Sequence, residues 1–134
     1  MQHQDDKLQK PLSPHLSIYK PQISSTLSIM HRVSGVVNFL GLFAFVWWIV
    51  CVTFSSKTPT EGWVWHFFSN IWGHLILIAW SFSIFFHFCT GIRHLFWDAG
   101  FGFKVRTMEI TGWFAVVMAS FLTLVTWLII LNIA

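Results

Sequence analysis

Hydrophobic positions in this chain gather into three long runs separated by short polar segments. The first run extends from about Val33 to Phe54 without a charge. The second runs from about Phe67 to Ile92, interrupted only by His74 and His87, and the third from Ile110 to Ala134 with no ionisable side chain. Each exceeds the ~20 residues an α-helix needs to cross ~30 Å of hydrocarbon. Lipid admits only helices or closed barrels as spanning structures, and the runs lack the ten-residue alternation of barrel strands. The pattern predicts an all-α integral membrane bundle of three transmembrane helices, at about 33–54, 67–97 and 110–133. Residues 1–32 then form an N-terminal arm and helix entry, and 33–134 the transmembrane domain.

The segments between the runs fit this division. Pro11, Pro14 and Pro21 keep the arm extended or irregular up to about Ile23. From Ser24 or Ser25 a Ser/Thr-rich stretch is suited to cap a helix that passes through His31 and Arg32 into the first span. Residues 55–62 (SSKTPTEG) form a polar turn, and residues 98–109 contain Gly100, Gly102, Lys104 and Arg106.

Cations set the expected orientation. Lys7, Lys10, Lys20 and Arg32 precede the first span, and Arg93, Lys104 and Arg106 surround the second linker, whereas the first linker has only Lys57. Positive-inside bias places the N-terminus and second linker on the cytoplasmic (or matrix) side and the C-terminus on the outer side. The arm mixes Asp5 and Asp6 with lysines and has no apolar core, so neither a cleavable signal nor an Arg-rich transit peptide is expected.

Composition agrees: 55% of residues are hydrophobic and 10% charged, against about 25% charged in ordinary soluble domains. A net charge of +3 is too small to argue for nucleic acid. Cys51 and Cys89 fall at depths ~20 Å apart at 1.5 Å per residue, which excludes a disulfide between them. Without a Cys-x-x-Cys-His motif, any haem would be held non-covalently. Most Trp residues are expected to be belt or packing residues.

The three-span topology brings the start of the first span and the end of the second to one membrane face. His31 and Arg32 therefore share a level with Arg93, His94 and Asp98. His87 lies deeper, two helical turns or ~10 Å before His94 and on nearly the same face, with Gly91 between them. The stripe reads as a metal ligand, a gap without a side chain, and a polar group at the interface, which suits an upright b-type haem. Its iron would take an imidazole at membrane depth, and its propionates would meet His31, Arg32 and His94. Spacing alone leaves other readings open: His87 bonded to a neighbouring helix, Arg32 and Arg93 snorkelling to phosphates, and Gly91 serving close packing. His74 is ~20 Å along the axis from His87, so the two cannot share a metal. A polar contact to a neighbouring helix is favoured for it over a second haem. His66, His3 and His15 are expected to be solvated or interfacial.

Two motifs resemble a known family, the cytochrome b556 (large anchor) subunit of succinate dehydrogenase, respiratory complex II. One is Ser28-Ile-Met-His31-Arg32-Val-Ser34-Gly35, preceded by Pro11-Leu-Ser-Pro-His-Leu-Ser-Ile-Tyr-Lys-Pro. The other is His87-Phe-Cys-Thr-Gly91-Ile-Arg93-His94-Leu-Phe-Trp-Asp98-Ala-Gly100. Lys10-Pro11 stands where the family generally has Arg-Pro, with the charge kept. The resemblance implies that His87 is the axial ligand of haem b, the second ligand coming from a smaller hydrophobic anchor subunit. It implies that His31, Arg32 and His94 lie near the propionates, and that Ser28 and Arg32 approach a ubiquinone carbonyl. Ser28 and Arg32 are i and i+4, on one helix face. Asp98 is placed to orient Arg32 or relay protons, or is simply solvated at a helix end.

The function implied is a subunit of a succinate:quinone oxidoreductase that passes electrons to ubiquinone, in the bacterial inner membrane or alternatively the mitochondrial inner membrane. Succinate oxidation would reside elsewhere, because the chain has neither a nucleotide-binding Gly motif nor a cysteine cluster. FAD and iron–sulfur clusters are expected only in a flavoprotein and an iron–sulfur partner. The rivals are a fumarate reductase anchor oxidising a quinol, and a non-redox membrane scaffold or transporter component using its histidines for packing or proton transfer.

Overall fold

A computed structural model describes residues 22–54 and 62–133 of the chain. The expectations for the arm, including Pro11, Pro14, Pro21, His3, His15 and the lysines there, lie outside the described residues, as does most of the 55–62 turn with Lys57. The described residues are helical with no strand: α1 (Ile23–Phe54), α2 (Trp63–Phe68), α3 (Ile71–Asp98) and α4 (Val105–Ile133). The three long helices have 18-residue windows of mean hydropathy 2.2, 1.9 and 2.5. The shortest has 28 residues, ~42 Å at 1.5 Å per residue, more than the ~30 Å of hydrocarbon. With apolar side chains exposed along all three, the chain is an integral membrane protein.

The helices outrun the apolar runs. α1 begins at Ile23, so residues 23–32 belong to the same helix as the first span, and α4 begins at Val105, ahead of Ile110. Hydropathy marks where lipid starts, whereas helical hydrogen bonding continues into the interface. At the start of α1, Ser25 Oγ and Thr26 Oγ1 both donate to the Gln22 carbonyl, at 2.9 and 3.2 Å. Such back-bonding keeps polar residues compatible with helix.

The second apolar run is broken where continuity was expected. Phe67 and Phe68 belong to short α2, and α3 starts only at Ile71. Asn70 causes the break: its Oδ1 accepts the Trp72 and Gly73 amides at 3.0 and 3.3 Å, capping α3. A Cβ at Gly73 would collide with the Phe67 carbonyl oxygen and the Phe68 backbone, so the corner closes only around glycine. At the other end, Gly100 has φ +87°. Its amide bonds the Trp97 carbonyl at 2.8 Å, and the Phe101 amide bonds the Phe96 carbonyl at 3.0 Å, a Schellman stop that ends α3.

α3 is the central helix, packed on α1 to one side and α4 to the other. Seams between helices carry small residues, as expected where packing rather than water drives association. Ser34, Thr90, Gly112, Ala115, Ala119 and Thr123 are all buried. Gly112 admits the Leu27 side chain, and Gly41 admits the Trp80 indole, which a Cβ would strike. Leu27, Phe86 and Ala119 form the small core. This arrangement joins the first turns of α1, the last turns of α3 and the first turns of α4 at one end of the bundle.

Candidate functional site

The seam between α1 and α3 holds a cluster of three imidazoles. The His31 ring lies flat on the His87 ring, with centroids 4.0 Å apart and planes within 6°. His94 meets the same His31 ring at 4.8 Å, tilted by 55°. His87 and His94 are two turns apart on α3, and His31 from α1 stands in the gap between them. Gly91 faces that gap: a Cβ there would come 3.6 Å from His31 Cε1, an ordinary contact distance. Across the seam, a Cβ at Gly35 would come 3.0 Å from His87 Cε1. His31 was expected at the interface, well above His87, but the close approach of the helices brings it into contact with the deeper ring.

Hydrogen bonds fix where the protons sit. His87 Nδ1 is 3.0 Å from the His31 carbonyl oxygen and 3.1 Å from Ser34 Oγ. A carbonyl oxygen only accepts, so His87 Nδ1 carries the proton and donates. Ser34 Oγ meanwhile donates its own proton to the His31 carbonyl at 2.8 Å. The second ring is set the same way. Thr90 Oγ1 donates to the Phe86 carbonyl at 2.6 Å and therefore accepts from His31 Nδ1 at 2.8 Å. In their neutral form both rings thus keep their protons on Nδ1, leaving Nε2 with a lone pair. A metal-binding imidazole needs its other nitrogen anchored in this way, which fixes both tautomer and ring orientation. His87 therefore fits an axial haem ligand. Among the described residues no group of three or more His, Cys, Asp or Glu could hold a free metal ion.

Thr90 and Ser34 have no role in the residue pattern read above, although each is a hydroxyl three residues after a histidine. Their burial shows their weight, with Thr90 1% and Ser34 7% exposed. Replacing Thr90 with the isosteric Val leaves the half-buried His31 Nδ1–H without its acceptor. A loss of about 1–3 kcal/mol in stability is expected, read as a lowered thermal midpoint of the purified protein at unchanged helical content.

The remaining residues are placed as follows. Ser28 is half-buried on α1, and Arg32 is exposed one turn further on. Neither has a hydrogen-bond partner among the described residues, which leaves their donors available. Asp98 is exposed at the last position of α3, and among the described residues no ion pair joins it to Arg32. Arg93 is at the expected level but faces α4 instead of the imidazoles: Nε donates to Thr111 Oγ1 at 3.2 Å and Nη2 to the Met108 carbonyl at 2.8 Å. His74 donates from Nδ1 to the Asn70 carbonyl of its own first turn at 2.9 Å. Its contact with α4 is an edge-on ring approach to Trp127, at 6.1 Å. Cys51 and Cys89 are both free thiols.

Three lipid-spanning helices enclosing a tautomer-locked imidazole pair define an integral membrane protein with a histidine-centred site at one end of its bundle. Residues 6–126 match the family described as succinate dehydrogenase/fumarate reductase transmembrane subunit, and the chain belongs to that family. It is 44% identical to the succinate dehydrogenase cytochrome b556 subunit of Rickettsia prowazekii, over 88% of this chain and 90% of the relative. It is 36% identical to the cytochrome b560 subunit of Reclinomonas americana, over 91% and 87% of the two chains. With the cytochrome b556 subunit of Paracoccus denitrificans the identity is 34%, over 72% and 73%.

Proposed function

We propose that this chain is a membrane anchor subunit of succinate dehydrogenase that holds haem b jointly with a second, smaller anchor subunit and helps form the ubiquinone-reduction site. The observation that carries this reading is the His87 ring, whose Nδ1–H is bonded to the His31 carbonyl so that Nε2 is free to ligate. When bound, the haem supplies a one-electron carrier inside the bilayer.

The chain's own residues have three tasks in this reading. His87 would hold the haem iron through Nε2, its ring aligned by the His31 carbonyl and Ser34. Arg32 and His94 would offer donors to the propionates at the end of the bundle where α1 begins, with His31 beside them but its Nδ1–H committed to Thr90, and Gly91 would present no side chain on that face of α3. Ser28 Oγ and the Arg32 guanidinium donate to a quinone carbonyl oxygen. Both stand on one face of α1, i and i+4, and donors aimed at that oxygen stabilise the negative charge it gains during reduction. Asp98 is positioned at the same end to relay protons from water to the reduced quinone.

The excess of Lys and Arg at this end orients it toward the cytoplasm of a bacterial inner membrane, with the C-terminus outside. A soluble iron–sulfur subunit docked there, fed by a flavoprotein, would deliver electrons directly to the quinone site. The test is co-purification of the tagged full-length chain. A succinate-reducible b-type band should travel with the chain and three other subunits. A preparation that lacks the band and shows no succinate-dependent quinone reduction would refute the proposal.

A further inference from the structure

The other side of α3 carries a second candidate site, which does not depend on the haem and quinone reading. Arg93 is 6% exposed, yet its hydrogen bonds run only to the neutral Thr111 hydroxyl and Met108 carbonyl. Its guanidinium carbon lies 4.1 Å over the Trp97 ring. No carboxylate pairs with it among the described residues. Guanidinium has five N–H donors, and two are engaged. Nη1 is not among the buried orphan atoms, so its donors open onto accessible space.

Arg93 lines a cavity of about 480 Å³ between α3 and α4, whose lining is almost wholly apolar. Arg93, Trp97 and Thr107 line its end near the interface, and Phe114, Met118 and Leu122 line its deep part. From Thr107 to Leu122 is ~22 Å along the helix axis. One leaflet, headgroup included, is about half of the ~40–45 Å bilayer, so the groove has the depth of a single lipid. Arg93 is ~100° round α3 from His94, which separates this groove from the imidazole seam.

We propose that this groove binds one phospholipid with an anionic headgroup, its phosphate on Arg93 and an acyl chain lying along Phe114, Met118 and Leu122. A desolvated cation with neutral partners lacks a counter-ion, and burying a charge without one is costly. A phosphate supplies both the charge and two acceptor oxygens, which guanidinium meets with two parallel bonds. The apolar depth below it suits an acyl chain and would reject a free anion.

The test uses the purified complex, delipidated in mild detergent and reconstituted in equimolar phosphatidylglycerol and phosphatidylcholine. Native mass spectrometry then counts the lipids retained after extraction. One phosphatidylglycerol per chain is expected, favoured over phosphatidylcholine by about tenfold: both lipids offer the same phosphate oxygens, but the choline ammonium cancels the net negative charge that would balance Arg93. Arg93→Gln should abolish the preference. Because that change also loosens α4, Met118→Trp provides a second arm, filling the groove while leaving Arg93 and its partners intact. It should eject the lipid with the haem spectrum unchanged. Equal retention of both lipids, or retention by Met118→Trp, overturns the proposal. So does cross-linking from a cysteine at position 118 to a partner subunit, which would show a protein helix in the groove.

Discussion

His87→Ala is expected to remove most of the b-type absorption band from the purified complex. The change deletes the Nε2 that the structure leaves free, and its two neighbours on the seam cannot replace it without rearrangement. His31 also has an open Nε2, but its ring is fixed by Thr90 on the other helix, with its centroid 4.0 Å from that of His87, so it would have to move to take the same position, and His94 is two turns away along α3. The loss should be accompanied by modest destabilisation, because the His31 carbonyl keeps Ser34 as a donor at 2.8 Å. Ser34→Ala should be milder: His87 Nδ1–H keeps the His31 carbonyl at 3.0 Å, so ligation survives. Second-sphere partners of metal-bound imidazoles typically change affinity by ~10–100-fold. His74→Ala is the control, since its ring bonds the first turn of α3 far from the cluster. A reduced-minus-oxidised spectrum of each variant checks the series. A normal band in His87→Ala would show that the ligand is elsewhere.

Arg32→Ala should lower succinate–ubiquinone turnover more than Ser28→Ala, with succinate oxidation by a soluble dye unaffected in both. Arg32 is exposed and without a partner among the described residues, so its removal leaves the packing of α1 on α3 intact. A hydrogen bond from a charged donor contributes about 1.5–3 kcal/mol, or roughly 10–150-fold in rate if it forms only in the transition state. A neutral hydroxyl contributes about 0.5–1.5 kcal/mol, roughly 2–10-fold. Arg32→Lys should restore part of the loss, because an ammonium keeps the charge but not the two-pronged geometry. Steady-state kinetics with a short-chain ubiquinone separate the arms. Equal, small effects of Arg32→Ala and Ser28→Ala would place the quinone elsewhere.

The sequence by itself determined the number of spans and which polar segments share an end of the bundle. Bilayer thickness sets the length of an apolar run, so Val33 to Phe54 and Ile110 to Ala134 read directly as crossings. Alternation of crossings then brings residue 31 beside residue 94. The stripe of His87, Gly91 and His94 was also legible, because helical periodicity alone puts those positions on one face. The break at Asn70 was less visible, since hydropathy does not register a side chain that caps a helix amid apolar neighbours.

Only the tertiary structure decided what each polar group faces. Whether Arg93 turns toward the imidazoles or toward Thr111 and Met108 depends on which helix covers that side of α3, and no spacing along one chain specifies it. The stacking of His31 on His87 follows from how closely α1 approaches α3 at Gly35. The proton on His87 Nδ1 is set by the His31 carbonyl, and that on His31 Nδ1 by the Thr90 hydroxyl, whose own proton is committed to the Phe86 carbonyl. Depth in a membrane is set by position along one dimension, whereas azimuth and proton placement arise from contacts between helices.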